Sequence, residues 1–88
     1  MVWQIEWEDK AVKELKELDV RAQRTIVRFL REKIATEDDP RRFGDPLTKD
    51  LKGLWKYRIG DYRIICSIEN KRVVVLVVRV GHRRSVYK

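Results

Sequence analysis

The first apolar signal repeats every second position. Trp3, Ile5 and Trp7 alternate with Val2, Gln4 and Glu6, the period of a strand with one apolar and one wetter face, which predicts a strand over residues 2–7. From Asp9 the spacing lengthens to three and four. Ala11, Val12, Leu15 and Leu18 sit among lysines and glutamates, which predicts an amphipathic helix over 9–18. Asp19 is placed to cap a second helix whose stripe is Val20, Ile26, Val27, Leu30 and Ile34, widened by Phe29. So short a junction makes the two helices an antiparallel hairpin. Thr36 to Pro46 holds two prolines, a glycine and four acids and reads as a surface loop.

Alternation returns from Leu54 to Ile59. Gly60-Asp61 supplies a two-residue hairpin turn, and Tyr62 to Ile68 runs back antiparallel. Asn70-Lys71 makes a second turn before Arg72–Val80, the most β-branched segment, suited to a central strand that Gly81 ends. Without an internal repeat or a linker, residues 1–88 form one domain of the α+β class: β-α-α-β-β-β, with the helical hairpin packed on one face of a four-stranded, mostly antiparallel sheet.

Length and composition narrow the picture. Eighty-eight residues supply one small core, and 43% apolar residues with the run Val73-Val74-Val75-Leu76-Val77-Val78 exclude disorder. No stretch reaches the roughly 20 apolar residues of a membrane span, and Met1 to Glu6 lack the layout of a secretory signal, so a soluble, cytoplasmic protein is expected. Cys66 is the single cysteine, which precludes an internal disulfide and fits a reducing compartment. The net charge is +7, and it is not evenly spread: residues 1–44 carry ten Lys/Arg against ten Asp/Glu, whereas residues 45–88 carry eleven against four. A basic half of this kind suits a polyanion, nucleic acid above all.

The tight turn at Gly60-Asp61 also sorts side chains by face. It sets Ile59 opposite Tyr62, Arg58 opposite Arg63 and Tyr57 opposite Ile64. Trp55, Tyr57, Ile59, Tyr62, Ile64 and Cys66 then meet the helices, while Lys56, Arg58 and Arg63 gather on the other face. Opposed like charges destabilise a strand pair, so a bound anion would relieve them. With a two-residue second turn, His82 would continue the row Leu76, Val78, Val80 onto this basic face; a three-residue turn would reverse it. The ending His82-Arg83-Arg84-Ser85-Val86-Tyr87-Lys88 brings forked phosphate donors, the only histidine and an aromatic hydroxyl. Other chemistries lack their parts. There is no second histidine or cysteine for zinc and no glycine-rich phosphate loop, and Glu37-Asp38-Asp39 lacks calcium-site spacing. No metal or cofactor is expected, and Cys66, on the helix-covered face, is expected to be an inert core thiol.

The segment Leu51-Lys52-Gly53-Leu54-Trp55-Lys56-Tyr57-Arg58-Ile59-Gly60-Asp61-Tyr62-Arg63-Ile64 and the ending Val80-Gly81-His82-Arg83-Arg84 closely resemble the RelE/ParE toxin superfamily, specifically its RelE branch, over essentially the whole chain. The resemblance implies a RelE-like, microbial RNase-like fold. It implies a toxin of a type II toxin–antitoxin pair, an endoribonuclease that enters the ribosomal A site and cuts the messenger RNA there without a metal. Its partners would be the ribosome with its message and an acidic, RelB-like antitoxin, joined in a toxin–antitoxin heterotetramer on operator DNA; no membrane partner is implied. The family's basic strand residues match Lys56 and Arg58, its next arginine matches Arg63, and its tail arginine and tyrosine match Arg83 and Tyr87. Lys52 and Arg84 are added as RNA phosphate contacts. Cutting RNA without a metal needs a base for the 2′-hydroxyl, cations for the phosphate and an acid for the 5′-oxygen. Arginine cannot exchange a proton, so base and acid lie among Lys56, His82 and Tyr87; Lys56 or His82 is the expected base, Tyr87 orients or stacks, and Arg63 and Arg83 stabilise. The alternatives are a ParE-type inhibitor of DNA gyrase and a non-catalytic, antitoxin-binding autorepressor.

Overall fold

The computed structural model describes residues 1–48 and 53–86. Its strands are β1 (Gln4–Trp7), β2 (Asp45–Pro46), β3 (Trp55–Ile59), β4 (Tyr62–Glu69) and β5 (Val74–His82), in one sheet of order β1-β5-β4-β3-β2. Helices α1 (Asp9–Lys16) and α2 (Val20–Phe29) lie between β1 and β2, and a π-helical turn, Leu30–Ile34, prolongs α2. The expected α+β class is therefore found, with one strand more than the pattern predicted. No helix among the described residues is long and apolar enough to cross a membrane.

Local chemistry accounts for the helical hairpin. Leu18 N donates to Leu15 O at 3.1 Å, a tightened turn that ends α1 two residues before the expected boundary. Asp19 then caps α2 as anticipated, its Oδ1 accepting from Ala22 N at 2.8 Å. Ala11, Ile26, Leu30 and Ile34 descend from the helices onto Tyr57, Ile59, Ile64, Cys66, Val75, Val77 and Val80 of the sheet, all buried. Each large apolar side chain so buried stabilises the fold by about 1.5–3 kcal/mol. Glu14 fastens α1 to the part of β5 that β1 leaves unpaired. Its carboxylate accepts from Arg79 Nε at 3.0 Å and from Val80 N at 3.0 Å.

The β3–β4 register is the expected one: Tyr57↔Ile64, Arg58↔Arg63, Ile59↔Tyr62. Among the described residues the one parallel pairing is β1 with β5, Gln4↔Val74 to Trp7↔Val77, which places β5 between two partners as its β-branched composition suggested. The loop after α2 is more ordered than its composition suggests. Tyr57 Oη donates to Pro40 O at 2.8 Å and Trp55 Nε1 donates to Phe43 O at 2.7 Å, so two β3 aromatics hold the loop while Asp45 and Pro46 pair with Lys56 and Trp55. Gly44, at φ +75°, is required here, because a Cβ would lie 2.1 Å from Lys56 O.

β5 departs from expectation in two ways, and the second moves a candidate residue. The connection from Glu69 to Val74 has four residues, Asn70–Val73, an even number that keeps Leu76 on the face predicted for it. A β-bulge follows: Ile65 pairs with Arg79 and Cys66 with Val77, so Val78 is an extra residue in β5. Beyond it the alternation is inverted. Val80 falls opposite Ile64 in the core and His82 opposite Tyr62, so His82 does not continue the row onto the basic face. Gly81 takes that position, opposite Arg63.

Candidate functional site

The face of the sheet away from the helices carries a cleft of about 430 Å³ lined by Lys56, Arg58, Arg63, Arg83 and Arg84. No carboxylate lines it among the described residues. Lys56 and Arg58 come from alternate positions of β3 and Arg63 from the facing position of β4, as the hairpin turn dictates. Arg83 and Arg84 arrive because residues 83–86 fold back. Ser85 N and Val86 N donate to His82 O at 2.9 and 3.0 Å, and Arg83 N donates to Asp61 O at 2.8 Å, across the tip of the β3–β4 hairpin. Val86, 2% exposed, lies against Gly81, where an added Cβ would meet Val86 Cβ at 3.4 Å. A small residue at position 81 thus leaves room for the tail over Arg63.

The cations differ in how firmly they are held. Arg63 is only 7% exposed, and its Nη1 donates to Gly60 O at 3.0 Å and Tyr62 O at 2.9 Å. It therefore ties down the turn as well as facing the cleft, which the sequence reading did not anticipate. Arg58, Arg83 and Arg84 are exposed and Lys56 half-buried. Asp61 Oδ1 stands 4.0 Å from Arg83 Nε at the rim, an exposed pair worth little in water. Five cations facing one recess repel one another, and an anion with several oxygens would relieve all of them.

His82 is placed elsewhere. Its ring meets Tyr62 edge to face with centroids 6.0 Å apart, and its Nδ1 accepts from Arg84 N at 3.3 Å. It shapes the turn that carries Arg83 and Arg84 and does not line the cleft. Lys52 and Tyr87 lie outside the described residues. Two contributors escaped the sequence reading: Val86, whose only signal was one apolar side chain in a basic tail, and Asp61, read as a turn residue alone. Cys66 is buried as expected, and burial pushes its thiol pKa far up, so the thiolate is disfavoured.

A helical hairpin on one face of a mixed sheet and a cationic cleft on the other define a small α+β domain whose open face suits an anion. Comparisons with known proteins give it a family. The model for the ParE toxin of type II toxin–antitoxin systems, parDE, matches residues 5–87. Toxin RelG of Mycobacterium tuberculosis is 30% identical over 88 residues, covering 100% of this chain and 99% of that protein. A chain of the RelBE2 toxin–antitoxin complex from Mycobacterium tuberculosis superposes with a TM-score of 0.86 at 28% identity, covering 94% of this chain and 93% of that one. A chain of the archaeal RelE–RelB complex from Pyrococcus horikoshii OT3 does so with a TM-score of 0.72 at 29% identity, covering 97% and 99%. The chain belongs to the RelE/ParE superfamily of type II toxin–antitoxin toxins.

Proposed function

We propose that the chain is a ribosome-dependent endoribonuclease that cuts messenger RNA in the ribosomal A site by attack of a 2′-hydroxyl on the adjoining phosphate. The observation that carries this reading is the cleft of Lys56, Arg58, Arg63, Arg83 and Arg84. It fits an RNA phosphate, whose charge grows as the reaction proceeds. The 2′-hydroxyl gives its proton to a base as the O2′–P bond forms. The P–O5′ bond then breaks, and the departing 5′-oxygen takes a proton from an acid, leaving a 2′,3′-cyclic phosphate and a 5′-hydroxyl. The arginines stabilise charge and exchange no proton. Lys56 is the side chain in the cleft able to act as base or acid, with Tyr87 its partner by resemblance and Lys52 a further phosphate contact.

A separately encoded acidic antitoxin would hold the toxin idle. Support comes from relatives crystallised in toxin–antitoxin complexes and from the charge of residues 45–88, which a disordered acidic chain could wrap and neutralise. The competing reading, inhibition of DNA gyrase, draws on the match to the ParE model. A cell-free translation reaction with primer extension on the message separates the two. Discrete breaks that require ribosomes are expected; intact message beside stalled gyrase would overturn the nuclease reading.

A further inference from the structure

A second basic surface lies on the opposite side of the molecule. Arg21, Arg24 and Arg28 on α2, with Arg31 in the π-helical turn, are all exposed, while Ala22, Ile26 and Leu30 of the same helix are buried. At about 1.5 Å per residue the row is roughly 15 Å long. Its members are three or four residues apart, the spacings at which like charges on a helix repel. The first turn of α2 holds no acid but does hold Arg21, where the helix dipole disfavours a cation. Glu17, Asp19 and Glu32 flank the row, yet none of the four arginines makes an ion pair among the described residues. A groove of about 300 Å³ runs between Gln23, Arg24, Val27, Arg28 and Arg31. Arg28 suits the last turn of α2, but the row as a whole, self-repelling and without an internal counter-charge, has an external anion to gain.

We infer that this arginine row binds the phosphate backbone of double-helical RNA, so that the toxin is held against structured RNA by α2 while the cleft engages a single strand on the other side. The preference for RNA rests on the nuclease reading above. The rest is geometry. The row follows one exposed helix face and is made of arginines, whose forked donors match phosphate oxygens. The groove between Gln23, Arg24, Val27, Arg28 and Arg31 holds no aromatic side chain on which an unpaired base could stack, as single-strand sites do; Trp3 and Trp7 lie beyond Arg31, at one end of the row. Duplex RNA, by contrast, is recognised through its phosphates and 2′-hydroxyls. Helix α2 packs its buried side on one face of the sheet and the cleft opens on the other, so the two basic faces stand back to back across one domain.

The test uses the full chain, made in a cell-free system, and two variants that lose the same charge. One is Arg24→Gln/Arg28→Gln/Arg31→Gln; the other is Lys10→Gln/Lys13→Gln/Lys16→Gln, three exposed lysines of α1. Affinity for a short RNA hairpin is read by fluorescence anisotropy over a range of salt. The arginine variant should bind about tenfold or more weakly, with the slope of log K against log salt smaller by about 2–3, and the lysine variant should change little. Equal losses in both variants would reduce the effect to net charge and overturn the proposal, as would unchanged binding in the arginine variant. Equal binding and equal loss on a DNA hairpin of the same sequence would overturn the assignment to RNA. If the arginine variant keeps the hairpin but loses a poly-glutamate peptide, the row is a dock for an acidic protein and the proposal falls. Message cleavage is scored separately, so a parent that binds through α2 without cutting refutes the nuclease reading alone, and one that cuts without such binding refutes this one alone.

Discussion

Arg63 offers the sharpest test of how the cleft is built. From its face assignment alone, Arg63→Ala should abolish cutting and leave the fold intact, because it removes repulsion with Arg58. The structure changes the second half of that expectation. Truncation removes a charged donor bonded to Gly60 O and Tyr62 O, worth about 1.5–3 kcal/mol, and strips two stem methylenes from a side chain only 7% exposed, about 0.8 kcal/mol each. Relief of the Arg58 repulsion returns about 0.2–1 kcal/mol, and freeing a buried charge returns more. A net loss of about 2 kcal/mol lowers the melting temperature of a domain this size by about 8–16 °C. Arg58→Ala is the internal control. That side chain is exposed, so stability should change by no more than about 0.5 kcal/mol while cutting falls just as far. Thermal melting and cell-free message cleavage on both variants decide it; an Arg63→Ala protein that melts within about 2 °C of the parent refutes the anchoring argument.

Three further outcomes follow from backbone and burial. Val73 is a β-branched residue at φ +55°, so Val73→Gly should raise stability by about 0.5–1 kcal/mol in urea unfolding, and a fall would sink the strain argument. Gly44→Ala should destabilise by more than about 2 kcal/mol, since the new Cβ meets Lys56 O; a parent-like melting curve would contradict the β2–β3 packing. Burial raises the pKa of Cys66, and burial reinforced by the neighbouring Cys66 raises that of Tyr57. Their contribution to stability is complete below the unfolded values and is lost as pH rises above about 8.5 for the thiol and about 10 for the phenol. Unfolding midpoints taken from pH 7 to 10.5 should therefore decline, and a flat profile would count against both assignments.

Periodicity reveals a face wherever apolar and polar residues differ, and fails where they do not. Trp55, Tyr57 and Ile59 alternate with Lys56 and Arg58, so the hairpin and its three shared cations were legible. In β5 both faces carry valine, so no pattern betrays that Val78 is an extra residue. Strand β2 has two residues, too few to show any period. The arginines of α2 were hidden differently. Counted over residues 1–44 they cancel against acids on α1 and in the loop after α2, and only the fold separates those charges in space.

The Val78 bulge bears directly on proton transfer. Had β5 continued regularly, His82 would have stood beside Arg63 with Lys56, and either could have served as base. With the alternation inverted, His82 pairs with Tyr62 and its Nδ1 accepts from Arg84 N, a bond that needs the lone pair and leaves the ring proton on Nε2. Its geometry is that of a positioning residue for the turn bearing Arg83 and Arg84, while Lys56 alone of the described proton-exchanging groups lines the cleft. An asparagine can offer an acceptor in place of Nδ1, and an alanine cannot. His82→Asn should therefore keep message cleavage within about threefold of the parent, whereas His82→Ala should lose about tenfold, the range of a misplaced phosphate contact. Both losses should be uniform from about pH 7.5 to 9, because the side chain passes no proton in the reaction. Rates measured across the range settle the role: if the alanine variant loses one limb of the pH profile and asparagine fails to restore it, His82 is the base and Lys56 yields that place.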